Sequence, residues 1–238
     1  MAYGPWHRRS ACNTNDHLSS AISHTQASFT MLTRFKVAVF LACLIPLGQL
    51  LYNAWAGDLT ANPIEFITHF TGDWSLIFLL ATLSVTPLRK LLGWNDLIKF
   101  RRMLGLFAFF YVLLHFSTYM VLDHFFDFPA IGKDIIKRPY VTVGFTGFVL
   151  MIPLAITSTA AMIRRLGKRW QQLHRLVYVA AIAGVVHFYW LVKADIRRPL
   201  QYGAVLLLLL GFRLVTKWAQ RWPRFQKFQL FHSFKSWS

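Results

Sequence analysis

The stretch LGLFAFFYVLLHFSTYMVL, from Leu104 to Leu122, decides the fold. Its nineteen residues contain no acidic or basic side chain except the imidazole of His115. Because an α-helix rises ~1.5 Å per residue, about twenty apolar residues cross a hydrocarbon layer of ~30 Å. The stretch therefore predicts a membrane-spanning helix. Its one histidine requires an explanation, because a polar group in hydrocarbon is costly unless it has a partner.

Similar apolar segments recur along the chain, in which 55% of the 238 residues are hydrophobic. Soluble proteins are less apolar and lack repeated runs of this length. The predicted helices cover residues 35–55, 74–88, 102–122, 141–163, 172–192 and 200–218. The second is short, and we expect it to begin earlier, near Phe70. The sequence thus predicts an all-α integral membrane protein, a six-helix bundle in a lipid bilayer.

The formal net charge of +17 is concentrated in particular segments. Basic residues dominate both tails and the loops that follow the second and fourth predicted helices, whereas the other loops mix acidic and basic residues. Lys and Arg mark the cytoplasmic loops of membrane proteins. Both termini are therefore predicted to be cytoplasmic, which fits six crossings. Membrane topology explains the charge, and nucleic-acid binding is not expected.

Two tails flank the predicted bundle. Residues 1–33 are polar, have no periodicity and are predicted to be disordered, and Met31 offers an alternative start of the native protein. Residues 34–220 form the predicted transmembrane domain, and residues 221–238 form a basic, aromatic cytoplasmic tail. The two cysteines do not form a CxxC pair, so neither a disulfide framework nor a thiolate metal site is expected.

Two of the nine histidines lie deep in predicted spans. His115 and His187 stand about 13 and about 15 residues from the inner ends of two helices that run in the same direction, which gives them similar heights. The surroundings offer no third nitrogen, thiolate or carboxylate for a tetrahedral zinc site. A haem iron needs only two axial ligands, and small residues such as Ala180 and Gly184 leave room for a macrocycle. The alternative is a neutral ring that is hydrogen-bonded within the bundle.

A third histidine, His174, lies about 20 Å nearer the inner side than His187. A second haem there would need a ligand on the third helix, where Arg101 stands instead of histidine. The sequence supports one haem and leaves a second open. Arg101, Arg102 and Arg175 are candidates to pair with haem propionates or with a flavin phosphate. Snorkelling to lipid phosphates is the alternative for each of them.

Two segments, RRMLGLFAFFYVLLH (101–115) and WQQLHRLVYVAAIAGVVH (170–187), resemble the ferric reductase-like transmembrane family. Its members are six-helix haem b carriers that move electrons across a membrane. The segments NPIEFITHFTGDWSLIFLLATLSVTPLR (62–89) and LAITSTAAMIRRLGKRWQQLHRL (154–176) are similar, more narrowly, to the haem-binding subunits of bacterial periplasmic protein-methionine-sulfoxide reductase systems. Together the matches span roughly residues 32–220.

The resemblance implies that His115 and His187 are the axial ligands of a haem b, and that His174 is the third histidine of the family. It implies a multi-pass protein of the bacterial inner membrane without catalytic residues of its own. Electrons would come from quinol, or from FMN reduced by a separate cytoplasmic flavin reductase. They would pass to a periplasmic molybdopterin-containing catalytic subunit, with which the chain forms a heterodimer that repairs oxidised periplasmic proteins. The chain has no GxGxxG motif and is not expected to oxidise NAD(P)H alone.

Two further expectations concern the outer surface and a competing function. The stretch from Asp123 to Arg138 is a candidate docking surface for the partner, with simple solvation as the alternative. The competing function is a membrane transporter or proton relay, in which His115 and His187 titrate. Membrane-embedded acids and internal repeats would favour it, and the sequence suggests neither. A self-contained ferric or quinone reductase would share the haem.

Overall fold

The computed structural model describes residues 14–192 and 195–221. Within these ranges every regular element is a helix, which confirms the predicted all-α class. The α-helices are α1 (Thr14–Ala56), α2 (Pro63–Leu92), α3 (Ile98–Thr118), α4 (Phe128–Lys137), α5 (Pro139–Ile156), α6 (Ala160–Leu166), α7 (Lys168–Leu173), α8 (Leu176–Leu191) and α9 (Arg197–Arg221). A 3-10 turn (Asn95–Leu97) precedes α3, and a π-helical turn (Tyr119–Asp123) extends it.

Six stretches of the described chain are long and apolar enough to cross a membrane, as predicted. They are Met31–Ala56, Pro63–Leu92, Asn95–Asp123, Pro139–Ile156, Lys168–Leu191 and Arg197–Ala219. Large apolar side chains remain exposed on their surfaces, for example Leu207 (72%) and Leu208 (74%) on α9. Such exposure would be unfavourable in water and suits a hydrocarbon environment.

The chain divides into two compact units, residues 1–45 and residues 46–238. In the first unit the described residues belong to α1, which already begins at Thr14. A disordered tail was predicted as far as residue 33. No glycine or proline interrupts residues 14–45, so the helix of the apolar span continues into the polar residues before it. Residues 1–13 and 222–238 lie outside the described part of the chain.

The second unit contains two closely packed helix pairs, α2 with α3 and α5 with α8. The shared core holds Leu83, Ala108, Tyr111 and Ala181, none of which is measurably exposed. Helix α2 ends at Gly93, whose φ of 68° lies in the left-handed region that glycine favours. We call the end of the unit where α2 stops and α3 starts the basic end. It carries Arg89, Lys90, Lys99 and Arg102.

The structure corrects the predicted helix at 141–163. Helix α5 stops at Ile156, and a separate helix α6 follows. Two threonines cause the break. The Thr157 hydroxyl bonds back to the carbonyl oxygen of Pro153 (2.6 Å), while Thr159 is extended and its hydroxyl caps α6 by accepting from the amide of Met162. Such side-chain bonds compete with the helical ladder.

Two smaller differences concern the next helix and an outer loop. The helix predicted at 172–192 is divided at His174 and Arg175, between α7 and α8. Helix α4 was not predicted. Its first turn is fixed by the Asp127 carboxylate, which accepts from the amide of Ala130 (3.0 Å), and by a proline at its start.

Candidate cofactor site

A cavity of about 260 Å³ lies between α2, α3, α5 and α8, and both His115 and His187 line it. The two histidines were predicted to lie at similar heights in the bundle, and the structure brings their rings together. Their ring centroids are 6.1 Å apart and the ring planes are inclined by 76°. The small residues Ala180 and Gly184 also line the cavity, as expected from their position on α8.

The distance between the rings fits two ligands on opposite sides of one metal ion. Imidazole nitrogens bind metals at ~2 Å, and the centre of the ring lies about 1 Å further out, so opposed ligand rings stand roughly 6 Å apart. Among the described residues there is no group of three or more histidines, cysteines or carboxylates that would complete an all-protein metal site. Two nitrogens alone suit an iron whose other four positions belong to a porphyrin.

Backbone carbonyls orient both rings. His115 Nδ1 lies 2.8 Å from the carbonyl oxygen of Thr68, and His187 Nδ1 lies 2.7 Å from that of Tyr140. Because a carbonyl oxygen only accepts, each Nδ1 carries the proton and donates it. The lone pair is then on Nε2, the nitrogen that is left free to bind a metal. Each ring, when neutral, is thus fixed in the tautomer that suits a ligand.

Two glycines provide the space for these rings. A Cβ atom added at Gly72 would lie 3.1 Å from Cε1 and Nδ1 of His115. A Cβ atom added at Gly144 would lie 2.6 Å from His187 Nδ1, a distance that real Cβ contacts do not tolerate. At Gly144 a side chain would displace the ring of His187 from the carbonyl oxygen, and at Gly72 it would crowd the ring of His115.

The two histidines occupy equivalent places in a repeated arrangement. In both halves the histidine follows its carbonyl partner by 47 residues. In both halves a glycine stands four residues after the carbonyl, at Gly72 and at Gly144. The pair α2 with α3 and the pair α5 with α8 therefore each contribute one histidine, one carbonyl oxygen and one glycine to the same cavity. This corrects the expectation that the chain has no internal repeat; the repeat is hidden because few other side chains match.

A third histidine, which was not predicted to belong to the site, lines the same cavity. His69 precedes the second helix as it was predicted, at 74–88 with a start near Phe70, but it lies in α2 and lines the cavity. It is close enough to interact electrostatically with both His115 and His187. The next acid along α2, Asp73, also lines the cavity and pairs with Arg198 at 3.3 Å. The signal that could have revealed them is the helical N-cap at Asn62, which starts α2 well before the predicted residue 74.

The remaining predicted site residues lie elsewhere. His174 stands at the basic end, where its Nε2 is 3.1 Å from the Thr157 hydroxyl and its ring stacks on Trp170 at 4.0 Å. Arg101 is partly buried in the same region, whereas Arg102 and Arg175 are exposed. The structure therefore does not bring His174 or the three predicted arginines to the histidine pair.

A polar cluster closes the opposite end of the cavity. Asp134 accepts from the hydroxyl of Tyr119 (3.0 Å) and pairs with Arg138 Nε at 2.8 Å. Arg138 also donates to the Tyr140 hydroxyl (3.1 Å). The hydrogen bond to Tyr140 and the charge of Asp134 raise the pKa of the Arg138 guanidinium. The cluster joins α4 to the start of α5, the turn whose Tyr140 carbonyl holds His187.

Six candidate spans, together with a cavity between α2, α3, α5 and α8 that holds two oriented imidazoles, define a class: a multi-pass membrane protein with a bis-histidine site. The sequence pattern described as the ferric reductase-like transmembrane component matches residues 71–185. Relatives of the chain bear the name protein-methionine-sulfoxide reductase heme-binding subunit, and they include the following three. The one from Herminiimonas arsenicoxydans is 54% identical over 80% of this chain and 88% of its own. Those from Rhodospirillum rubrum and Bordetella pertussis are 55% and 46% identical over 76% and 79% of this chain, and 87% and 92% of their own.

The chain belongs to the family of these reductase subunits, within the ferric reductase-like transmembrane proteins. This confirms the resemblance drawn from the sequence. No solved structure matches the chain.

Proposed function

We propose that this chain is the haem b-binding, electron-transfer subunit of a protein-methionine-sulfoxide reductase. One observation carries the proposal: the imidazoles of His115 and His187 stand 6.1 Å apart across an apolar cavity. The names of the relatives agree with it, since they describe heme-binding subunits. When bound, the haem supplies reversible one-electron chemistry.

The chain's own residues supply the binding and the electrostatics. His115 and His187 would hold the iron through Nε2, while Thr68 and Tyr140 keep the rings in the required tautomer. Gly72 and Gly144 give each ring its close approach, and the apolar walls exclude water from the cofactor. Charged groups at the edge of a largely apolar site, such as Asp73 and Asp134, let the protein tune the reduction potential.

The direction of electron flow follows from the proposed orientation. The basic end faces the cytoplasm, because Lys and Arg are retained on that side of bacterial membranes. The histidine pair then lies nearer the periplasm. Electrons enter from quinol or from FMN reduced by a cytoplasmic flavin reductase, and leave to a periplasmic molybdopterin-containing subunit. The chain itself resides in the inner membrane and reduces no methionine sulfoxide alone.

The docking surface for that subunit is proposed at the loop from Asp123 to Arg138. Phe125 and Phe128 there are 78% and 65% exposed. Phe125 and Phe126 also adopt positive φ angles, which are unusual for residues other than glycine. Exposed aromatic side chains in a fixed, strained turn are typical of binding surfaces.

The test follows electrons from donor to product in membrane vesicles. The haem-loaded protein is first reduced by reduced flavin or quinol, and the remaining reductant is removed. Its visible absorbance is then followed after the catalytic subunit and a methionine sulfoxide peptide are added. We expect reoxidation and methionine formation only when both additions are present. Reduced protein that stays reduced with an active partner would refute the proposal.

The competing proposal, a transporter or proton relay, gains one argument from the repeated arrangement of helices, since repeats are common in transporters. The two functions differ in a simple observable. If the protein is a relay, it should lack haem and move protons across vesicle membranes. If it is an electron-transfer subunit, it should be coloured by haem and should not move protons.

A further inference from the structure

A second polar group lies inside the bundle, away from the histidine pair. Arg213 of α9 donates from Nη1 to the hydroxyl of Tyr178 and from Nη2 to the carbonyl oxygen of Leu83 (2.7 Å). Its guanidinium carbon is 5.1 Å from the centre of the Tyr178 ring. Arg213 thereby ties α9 to α8 and to α2 within a membrane span.

A second cation stands beside the first. Arg101 of α3 lies close to both Tyr178 and Arg213. In the described part of the chain, neither arginine has a carboxylate within ion-pair distance. Two like charges repel strongly where the dielectric constant is low, and buried charges are normally paired. The pair of arginines therefore lacks a counter-charge.

Unsatisfied hydrogen-bonding atoms mark the same place. Across the described residues, the buried side-chain polar atoms without a partner are two: Nε of Arg213 and the hydroxyl oxygen of Thr86. Thr86 follows Leu83 by three residues on α2, so it lies on the side of that helix which Arg213 contacts. Native proteins rarely leave such atoms unpaired. Both orphaned groups can donate a hydrogen bond to an oxygen atom.

We propose that Arg101 and Arg213 form a binding site for an oxyanion, either a phosphate or a carboxylate group. Guanidinium groups bind such groups through two parallel N–H donors, and Thr86 adds a hydroxyl donor. Arg101 precedes His115 by fourteen residues, so the site lies roughly 21 Å along the helix axis from the histidine pair. The oxyanion comes either from a soluble molecule that enters at the basic end or from the headgroup of an anionic lipid.

Ligand-induced stabilisation tests the proposal on the full haem-loaded chain in nanodiscs of phosphatidylcholine. The thermal unfolding temperature is measured with inorganic phosphate, with FMN and with riboflavin, which lacks the phosphate. A separate arm adds phosphatidylglycerol to the disc. A soluble source predicts stabilisation by phosphate or FMN but not by riboflavin, and a lipid source predicts stabilisation by phosphatidylglycerol.

Substitutions then connect the response to the arginines. Arg101→Gln and Arg213→Gln should weaken the apparent affinity for the effective probe about tenfold or more, since each removes charge-assisted hydrogen bonds. Arg213→Gln also removes the bond to the Leu83 carbonyl, so Arg101→Gln is the decisive variant if the other does not fold. Lys217→Gln, an exposed change one turn further along α9, should leave the affinity unchanged.

The proposal is overturned if no oxyanion or anionic lipid stabilises the wild type, or if Arg101→Gln responds as the wild type does. The visible spectrum of each sample is recorded in parallel, and the variants should retain the haem absorbance. A wild type that binds no haem but shows an Arg101-dependent response would refute the proposed function while supporting the oxyanion site.

Discussion

At the scale of single residues, the orientation of the two imidazoles is set by peptide carbonyls. A buried N–H without a partner costs about 1–3 kcal/mol, so each ring is strongly held with Nδ1 toward its carbonyl. Thr68 and Tyr140 act here through their backbones, and their side chains give no sign of the role. The histidine pair is therefore pre-organised for a ligand on Nε2.

Gly144→Ala tests this arrangement. The added methyl group would overlap His187 Nδ1 at 2.6 Å and push the ring away from the Tyr140 carbonyl. We expect loss of most of the bound haem, measured by the ratio of Soret to protein absorbance, and an altered low-spin signal by electron paramagnetic resonance in what remains.

Two graded variants serve as controls for that change. Gly72→Ala should have a weaker effect, because its methyl group would lie 3.1 Å from His115. Gly211→Ala should have none, since nothing lies within 4 Å of the added atom. Equal haem loss in all three variants would mean that general helix packing, rather than the ring contact, is responsible.

Asp73 provides a second test at this scale. Its carboxylate lines the same cavity as His115, and a negative charge at a haem site favours the oxidised form. Asp73→Asn should therefore raise the haem midpoint potential, on the order of tens of millivolts because Arg198 already offsets part of the charge. Redox titration with optical detection measures it. Asp58→Asn, in an exposed loop, is the control and should leave the potential unchanged. A potential of Asp73→Asn that is lower than or equal to that of this control would contradict the placement of the haem in the cavity that Asp73 lines.

The sequence predicted that His115 and His187 come together, but it did not predict the groups that support them, for a physical reason. Histidines at equal depth on parallel helices are visible by counting residues. Glycines are frequent in membrane helices, so Gly72 and Gly144 carry no special signal until the rings beside them are seen. Backbone carbonyl partners cannot be read from side-chain identity at all.

At the scale of elements, apolar length predicted the number of spans, while local side-chain bonds decided where helices break. Thr157 and Thr159 end one helix and begin another inside a run that hydropathy treats as continuous. The outer helix α4 follows the same rule. It is short and amphipathic, and its start depends on the cap at Asp127.

Removal of that cap is the prediction at this scale. Asp127→Ala should destabilise the first turn of α4 by about 1 kcal/mol, because the amide of Ala130 loses its acceptor. Faster hydrogen exchange should appear in α4, and binding of the catalytic subunit should weaken while the haem spectrum stays unchanged. Asp58→Ala is the matched control at an exposed acid. Unchanged exchange in α4 would show that the cap is dispensable.

At the scale of the whole molecule, the repeated helix pairs explain the histidine pair, and the charge distribution predicts the orientation in the membrane. The repeat explains how one cavity receives two equivalent histidines from opposite sides. The charges predict which end faces the cytoplasm, whereas helix packing carries no information about the orientation. Both are needed for a protein that moves electrons in one direction.

The orientation has a direct test with single-cysteine variants in a background without Cys12 and Cys43. A membrane-impermeant maleimide should label Asp58→Cys in intact spheroplasts. It should label Arg165→Cys only after the membrane is opened, because the loop at the basic end is predicted to be cytoplasmic. The reverse pattern would invert the proposed direction of electron flow.

The central claim is that the imidazoles of His115 and His187 bind one haem iron between them. The visible spectrum of the purified, dithionite-reduced protein tests it most directly, for the wild type and for His115→Ala, His187→Ala and His174→Ala. We expect a reduced b-type spectrum in the wild type that collapses in the first two variants and persists in the third. A colourless wild type under adequate haem supply, or an unchanged spectrum in either of the first two variants, would contradict it.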